Sequence, residues 1–239
     1  MNKPGIYGKL PSHGDFIQRN LPSTFITEWD AWLQYFIAGT KEKLGTDWLD
    51  IYLTSPIWRF VLSHGVIDEN KWAGILMPSV DLVGRYFPLT VAVKLPDFVN
   101  PLEFISMQTS WYAGLEDLAL MALDSEFELD ELIAELSNLN ICFDSIYMPG
   151  NNQLETYAMQ FELDFEEQSV SSIYPYMLDV LMNKLISSYS AWTTSGSERV
   201  SPCIFSVQNL PPMSKIPAML DGEWERWGWQ KPYVLQTLN

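Results

Sequence analysis

Basic side chains are missing from the middle of this sequence. Between Lys94 and Lys184 there is no lysine or arginine, whereas seventeen aspartates and glutamates fall within residues 95–183. The net charge of the 239-residue chain is −16. Nucleic acids and anionic membranes bind basic patches, so both are poor partners for this chain. We expect the acidic segment 95–183 either to keep exposed helices soluble or to form a docking surface for a basic protein.

Residues that bind metals or carry redox chemistry are equally scarce. His13 and His64 belong to no metal-ligand pattern, and Cys142 and Cys203 form no Cys-x-x-Cys pair. A Gly-x-Ser-x-Gly elbow and a glycine-rich phosphate loop are also missing. We therefore expect no metal and no cofactor. Without a signal-like segment or a run near the roughly 18 apolar residues of a membrane span, the sequence predicts a cytoplasmic protein with reduced cysteines.

The hydrophobic pattern predicts a single mixed α/β domain over residues 1–239, with a hydrophobic content of 47% to fill its core. It divides into a motif-rich half, 1–96, and a half, 97–239, with acidic helices, a hairpin and a last helix. Because connections are short, we expect a central, largely antiparallel sheet, and we expect helices to flank it on both faces. The predicted strands are 6–10, 58–63, 72–77, 87–95, 156–163, 190–194 and 200–207, and the predicted helices are 23–39, 47–53, 100–123, 129–136 and 174–187.

Two segments mix glycine, proline, a hydroxyl and a carboxylate beside an aromatic residue. The first motif loop, residues 8–16, reads Gly-Lys-Leu-Pro-Ser-His-Gly-Asp-Phe, and the second motif loop, residues 77–90, reads Met-Pro-Ser-Val-Asp-Leu-Val-Gly-Arg-Tyr-Phe-Pro-Leu-Thr. Glycine relaxes the backbone, proline fixes it, and short polar side chains bond to nearby amides. This composition predicts shaped loops rather than core strands.

Ser12, His13 and Asp15 bring a hydroxyl, an imidazole and a carboxylate into one loop. These residue types suit a nucleophile, a base and an orienting group. Neighbouring residues seldom point at one atom, however, and working triads gather their members from separate parts of a fold. The spacing therefore favours a structured turn in which Ser12 or Asp15 bonds local amides.

Asp81 and Arg85 lie four residues apart around Gly84 and are placed to form an ion pair that pins the second motif loop. Ligand binding is the alternative for this pair. The same two readings apply to Glu198 and Arg199, which adjoin a predicted turn at 195–197.

Four segments together resemble the TagF family, also called ImpM, of proteins associated with type VI secretion. They are the two motif loops and the segments Trp29-Asp30-Ala31-Trp32-Leu33 and Gly196-Ser197-Glu198-Arg199-Val200. The resemblance is strongest over 7–95, returns at 192–210 and is weak over 97–171. It implies a longin-like, three-layer α/β fold. It also implies a cytoplasmic, non-enzymatic, post-translational repressor that binds a forkhead-associated-domain scaffold protein of the secretion machine.

The glycine- and proline-rich motif loops are expected to form a scaffold for protein contact. His13 departs from the family pattern, because many relatives carry arginine or another residue at that position. Two alternatives to the repressor remain open: a hydrolase that uses Ser12, His13 and Asp15, and a structural component of the apparatus. The candidate binding residues are Ser12, His13, Asp15, Ser79, Asp81, Arg85, Glu198 and Arg199.

Overall fold

Seven antiparallel strands form one sheet in the computed structural model, which describes residues 3–141, 143, 159–163 and 169–234. The spatial order is β2-β1-β5-β4-β3-β6-β7, and every neighbouring pair runs antiparallel. This confirms the expected mixed α/β fold. The strands are β1 Gly5–Gly8, β2 Ile17–Arg19, β3 Trp58–Leu62, β4 Lys71–Met77, β5 Leu89–Leu95, β6 Tyr189–Thr194 and β7 Cys203–Gln208.

Helices cover both faces of this sheet. Alternation along β1 sends Ile6 to one face and Tyr7 to the other, and each joins a different buried cluster. The cluster around Ile6 packs against α3, α4 and α5, whereas the cluster around Tyr7 packs against α1, α2 and α7, so the fold has three layers. The helices are α1 Ser23–Leu44, α2 Trp48–Leu53, α3 Pro101–Met107, α4 Thr109–Met121, α5 Leu129–Asn138, α6 Tyr174–Ile186 and α7 Ala218–Asp221.

The tryptophan-rich segment 29–33 lies in α1 and belongs to the core. Trp29 stacks parallel to Trp192 with ring centroids 6.2 Å apart, and its indole N–H donates to Thr90 Oγ1 at 2.8 Å. Trp32 is also buried and donates to the carbonyl of Pro211 at 3.0 Å. Buried indoles usually find such acceptors, and these two bonds connect α1 to β5 and to the chain at Pro211.

The start of α3 confirms a helix signal in the sequence. Asn100 Oδ1 accepts hydrogen bonds from the N–H groups of Leu102 and Glu103 at 3.0 and 2.9 Å, and Pro101 occupies the first helical position. The single helix predicted over 100–123 is nevertheless wrong, because the chain breaks at Gln108 (φ −84°, ψ 41°) into α3 and α4. Gly114, the expected weak point, lies inside α4.

Other predicted boundaries also shift. Helix α1 passes the predicted end at Gly39 and stops at Gly45, where a positive φ of 61° ends it. Strand β2 was not predicted, β5 begins at Leu89 rather than 87, and β7 begins at Cys203 rather than 200. Of the predicted strand 156–163, residues 159–163 form no strand and 156–158 lie outside the described residues.

Within the part of the chain that the structure describes, no helix is long and apolar enough to cross a bilayer. The same residues contain no group of three or more His, Cys, Asp or Glu side chains positioned to hold a metal ion.

Candidate functional site

The two motif loops lie against each other beside the ends of β1, β4 and β5. Gly8 has a φ of 138°, and a Cβ built there would lie 2.1 Å from the carbonyl oxygen of Pro88, so only glycine allows this close approach. Hydrogen bonds join the loops further along. Ser79 Oγ donates to the carbonyl of Lys9 at 2.7 Å, and the Leu82 N–H donates to the carbonyl of His13 at 2.9 Å.

Asp81 is the centre of these contacts, and its side chain is fully buried. Its Oδ2 accepts from Lys9 Nζ at 2.7 Å and from Arg85 Nε at 2.6 Å. Its Oδ1 accepts from the backbone N–H groups of Arg85 and Val83 at 2.8 and 3.1 Å. Burial by itself would raise the pKa of Asp81, but the hydrogen bonds and charges of Lys9 and Arg85 outweigh it and hold this pKa well below its usual range.

We call Lys9, Asp81 and Arg85 the loop latch. The Arg85 guanidinium also donates to the carbonyl of Gly14 in the first motif loop, and Lys9 Nζ lies 4.9 Å from the centroid of the Phe16 ring. Both cations therefore bridge the two loops. The arrangement confirms the ion pair predicted between Asp81 and Arg85 and adds Lys9, whose role sequence spacing did not indicate.

Helix α2 supports the second motif loop from the other side. The buried Tyr52 hydroxyl donates to the carbonyl of Ser79 at 3.0 Å and accepts from the N–H of Ser79 at 2.9 Å. Burial raises the pKa of Tyr52 well above its ordinary value, so the hydroxyl stays protonated. Tyr52 was missed by sequence reasoning, since a tyrosine within a short amphipathic helix carries no signal of its partner.

Ser12, His13 and Asp15 lie together in the first motif loop but not as a triad. Ser12 Oγ is 2.9 Å from His13 Nδ1, whereas Asp15 Oδ1 accepts from the N–H of Phe16 at 2.8 Å. No hydrogen bond found among the described residues joins Asp15 to His13. A triad needs its carboxylate on the imidazole to orient it, whereas the Asp15 carboxylate bonds an amide of its own loop, as the sequence predicted.

Glu198 and Arg199 lie apart from the latch. Both are exposed, and the Arg199 guanidinium pairs with Asp50 on α2. Across the described chain, no hydrogen bond or ion pair connects either residue with the motif loops. The backbone there has a structural role, because a Cβ on Gly222 (φ 75°) would lie 2.2 Å from the carbonyl oxygen of Arg199.

Comparison with the sequence models of protein families identifies the family of this chain. The sequence model of the family described as "TagF N-terminal domain, Type VI secretion system-associated" matches residues 5–139, more than half of the chain. The chain belongs to the TagF family. The matched residues of this TagF protein include both motif loops, all three latch residues and Tyr52, whereas Glu198 and Arg199 fall outside them.

A solved structure supports the fold over nearly the full length of this TagF protein. The crystal structure of PA0076 from Pseudomonas aeruginosa PAO1 is similar to it with a TM-score of 0.80 and 32% sequence identity, and the match covers 98% of this chain and 100% of that one. A comparison with curated proteins finds no match.

Proposed function

We propose that this TagF protein is a non-catalytic, post-translational repressor of type VI secretion that acts in the cytoplasm by binding a forkhead-associated-domain scaffold protein. Family membership makes it an accessory protein of the type VI secretion system. Repression and the identity of the scaffold partner go beyond that membership, and the geometry of the motif loops supports a role in protein contact.

The observation that carries the proposal is that the charged groups of the latch are occupied by one another. The carboxylate of Asp81 accepts from Lys9, Arg85 and two backbone amides, so the loop is held in one shape before any partner binds. The turn between Asp81 and Arg85 presents two apolar side chains, Leu82 and Val83, which are 64% and 67% exposed. A preorganised loop with exposed apolar side chains favours association with a protein.

The test is the dissociation constant between the purified full chain and the purified scaffold protein, measured by isothermal titration calorimetry. The double variant Leu82→Asp/Val83→Asp should bind at least about tenfold more weakly, because two contacts of the turn are lost. Leu185→Asp, a similar change at a 77% exposed leucine of α6, is the control and should bind as the wild type. Equal binding by all three proteins would show that the turn is not the contact.

The contact between Ser12 and His13 favours a second candidate, a hydrolase in which His13 activates Ser12. His13→Ala separates the two functions. The repressor proposal expects secretion to stay repressed in cells that carry this variant, with the scaffold bound as tightly as by the wild type. Loss of repression by a folded His13→Ala protein that still binds the scaffold would support the hydrolase instead.

A further inference from the structure

An apolar groove adjoins the second motif loop. Its volume is about 260 Å³. Its lining includes Met77, Pro78 and Val80 of the second motif loop, Leu120 near the C-terminal end of α4, and Leu123 just after that helix. The groove therefore opens beside the exposed turn at 82–83, on the same end of the sheet as the loop latch.

The lining of this groove suits an apolar side chain rather than a polar ligand. Its two serines use their hydroxyl protons internally: Ser55 Oγ donates to the carbonyl of Tyr52 at 2.7 Å, and Ser79 Oγ donates to that of Lys9 at 2.7 Å. Sites for small molecules commonly enclose about 300–1,000 Å³. The smaller volume and open apolar wall, with Leu120 51% exposed, fit one or two inserted side chains.

Charge decides which partner would bring those side chains. Asp117 precedes Leu120 by one helical turn and Asp124 follows Leu123, and both carboxylates are exposed. Two basic side chains on neighbouring elements, Arg59 and Arg85, are already paired with carboxylates. Arg59 binds Glu116 in a bidentate ion pair at 2.6 and 2.7 Å, and Arg85 belongs to the loop latch. Asp117 and Asp124 supply two negative charges, whereas the loop latch, with Lys9 and Arg85 against Asp81, keeps a net charge of +1. The rim of the groove on the α4 side is thus acidic and attracts a positively charged segment.

We propose that this groove binds a basic protein segment that inserts one or two apolar side chains between the second motif loop and α4. The inference rests on the proposed function, since it names the chemistry by which the secretion-system partner is recognised. Lysine or arginine flanking the inserted side chains would meet Asp117 and Asp124.

The first experiment measures binding of the purified scaffold protein to the full chain at 50 and 300 mM salt. Leu120→Arg blocks the groove and adds a positive charge to it, so it should weaken binding at least about tenfold at either salt concentration. Asp117→Asn/Asp124→Asn should weaken binding mainly at 50 mM and flatten the salt dependence, because exposed charges are screened over about 8 Å at physiological ionic strength. Scaffold binding by Leu120→Arg at wild-type strength would contradict the proposal.

Matched controls place similar changes away from the groove. Leu185→Arg lies on α6, and Glu131→Gln/Glu135→Gln removes two exposed charges from α5. Both controls should retain wild-type affinity and salt dependence. If the control variants weaken binding as much as the groove variants do, the partner recognises the net charge of the protein rather than this groove, and the proposal is wrong.

A second experiment tests binding to the groove independently of the scaffold protein. If the wild type does not bind the scaffold, the proposed function is refuted, but this experiment still tests the groove. Three fluorescein-labelled 14-residue helical peptides are titrated: one with a leucine face flanked by lysines, one with alanines replacing the leucines, and one with glutamates replacing the lysines. The first should bind at least tenfold more tightly than either of the others, and Leu120→Arg should abolish the difference. Equal binding of all three peptides would overturn the inference.

Sedimentation of the protein alone tests the remaining possibility, that a second copy of the protein occupies the groove. The proposal expects the same sedimentation coefficient for the wild type and Leu120→Arg. A wild-type dimer that Leu120→Arg dissociates would assign the groove to self-association and overturn the inference.

Discussion

Removal of one hydroxyl group tests how α2 holds the second motif loop. In Tyr52→Phe, the ring of Tyr52 keeps its buried position while both hydrogen bonds to Ser79 disappear. The carbonyl of Ser79 retains a bond from the N–H of Phe87 at 3.1 Å. The N–H of Ser79 has no second acceptor among the described residues, so the variant leaves a buried donor unsatisfied.

The magnitude follows from these two losses. An orphaned buried donor costs about 1–3 kcal/mol, and the lost bond to the carbonyl adds about 0.5–1.5 kcal/mol. We expect the free energy of unfolding to fall by about 1.5–4.5 kcal/mol. At about 2–4 °C per kcal/mol for a chain of this size, the central value of about 3 kcal/mol corresponds to a decrease in Tm of roughly 6–12 °C.

The assay is equilibrium unfolding in guanidinium chloride, with calorimetry for Tm. The matched control is Tyr35→Phe, because Tyr35 is exposed on α1 and its change should stay within about 0.5 kcal/mol. If Tyr52→Phe also stays within 0.5 kcal/mol of the wild type, α2 does not hold the second motif loop and the reasoning fails.

Three further outcomes follow from the structure. Gly8→Ala should destabilise the protein by about 3–5 kcal/mol, because the new methyl group would clash with the carbonyl of Pro88 and the φ of residue 8 is unfavourable for alanine. Chemical denaturation measures this loss of stability, and a loss under about 1 kcal/mol would contradict the close approach of the two backbones. The pKa of Asp81 is lowered in the folded protein, so the stability that its carboxylate contributes is complete above about pH 4 and is lost as the pH falls further. Asp81→Asn should therefore be less stable than the wild type at pH 7. The difference between their free energies of unfolding, measured by urea titration, should narrow towards pH 2. Burial raises the pKa of Cys203 to about 11. In a Cys142→Ser background, iodoacetamide should therefore label Cys203 about 100-fold more slowly at pH 8 than it labels an exposed cysteine. Equal labelling rates for Cys203 and the exposed cysteine would contradict the burial of Cys203.

Local sequence signals predicted much of the fold. Strand-like apolar runs located β3, β4 and β5, with a clean alternation only in β5, and Asn100-Pro101 located the start of α3. Both signals depend on neighbouring residues alone. Strand β2 escaped because only Ile17 of its three residues is buried, which leaves no alternation to detect. The helix break at Gln108 escaped for a similar reason, since no proline or glycine stands there.

The candidate site was predicted only in part. The pairing of Asp81 with Arg85 could be predicted because the two residues are four positions apart. The bond from Lys9 to Asp81 spans 72 positions and exists because β1 pairs with β5, which brings the two motif loops together. A sequence shows such a contact only once the order of strands in the sheet is known.

Hydrogen exchange tests the central claim that the end of the sheet bearing the motif loops is a surface for protein contact. Amide exchange of the full chain would be compared with and without saturating purified scaffold protein, peptide by peptide. We expect slower exchange on binding in residues 77–86 and 117–124, with α6 unchanged. Slower exchange confined to α6 and β7, with no change in either of the expected segments, would contradict the account.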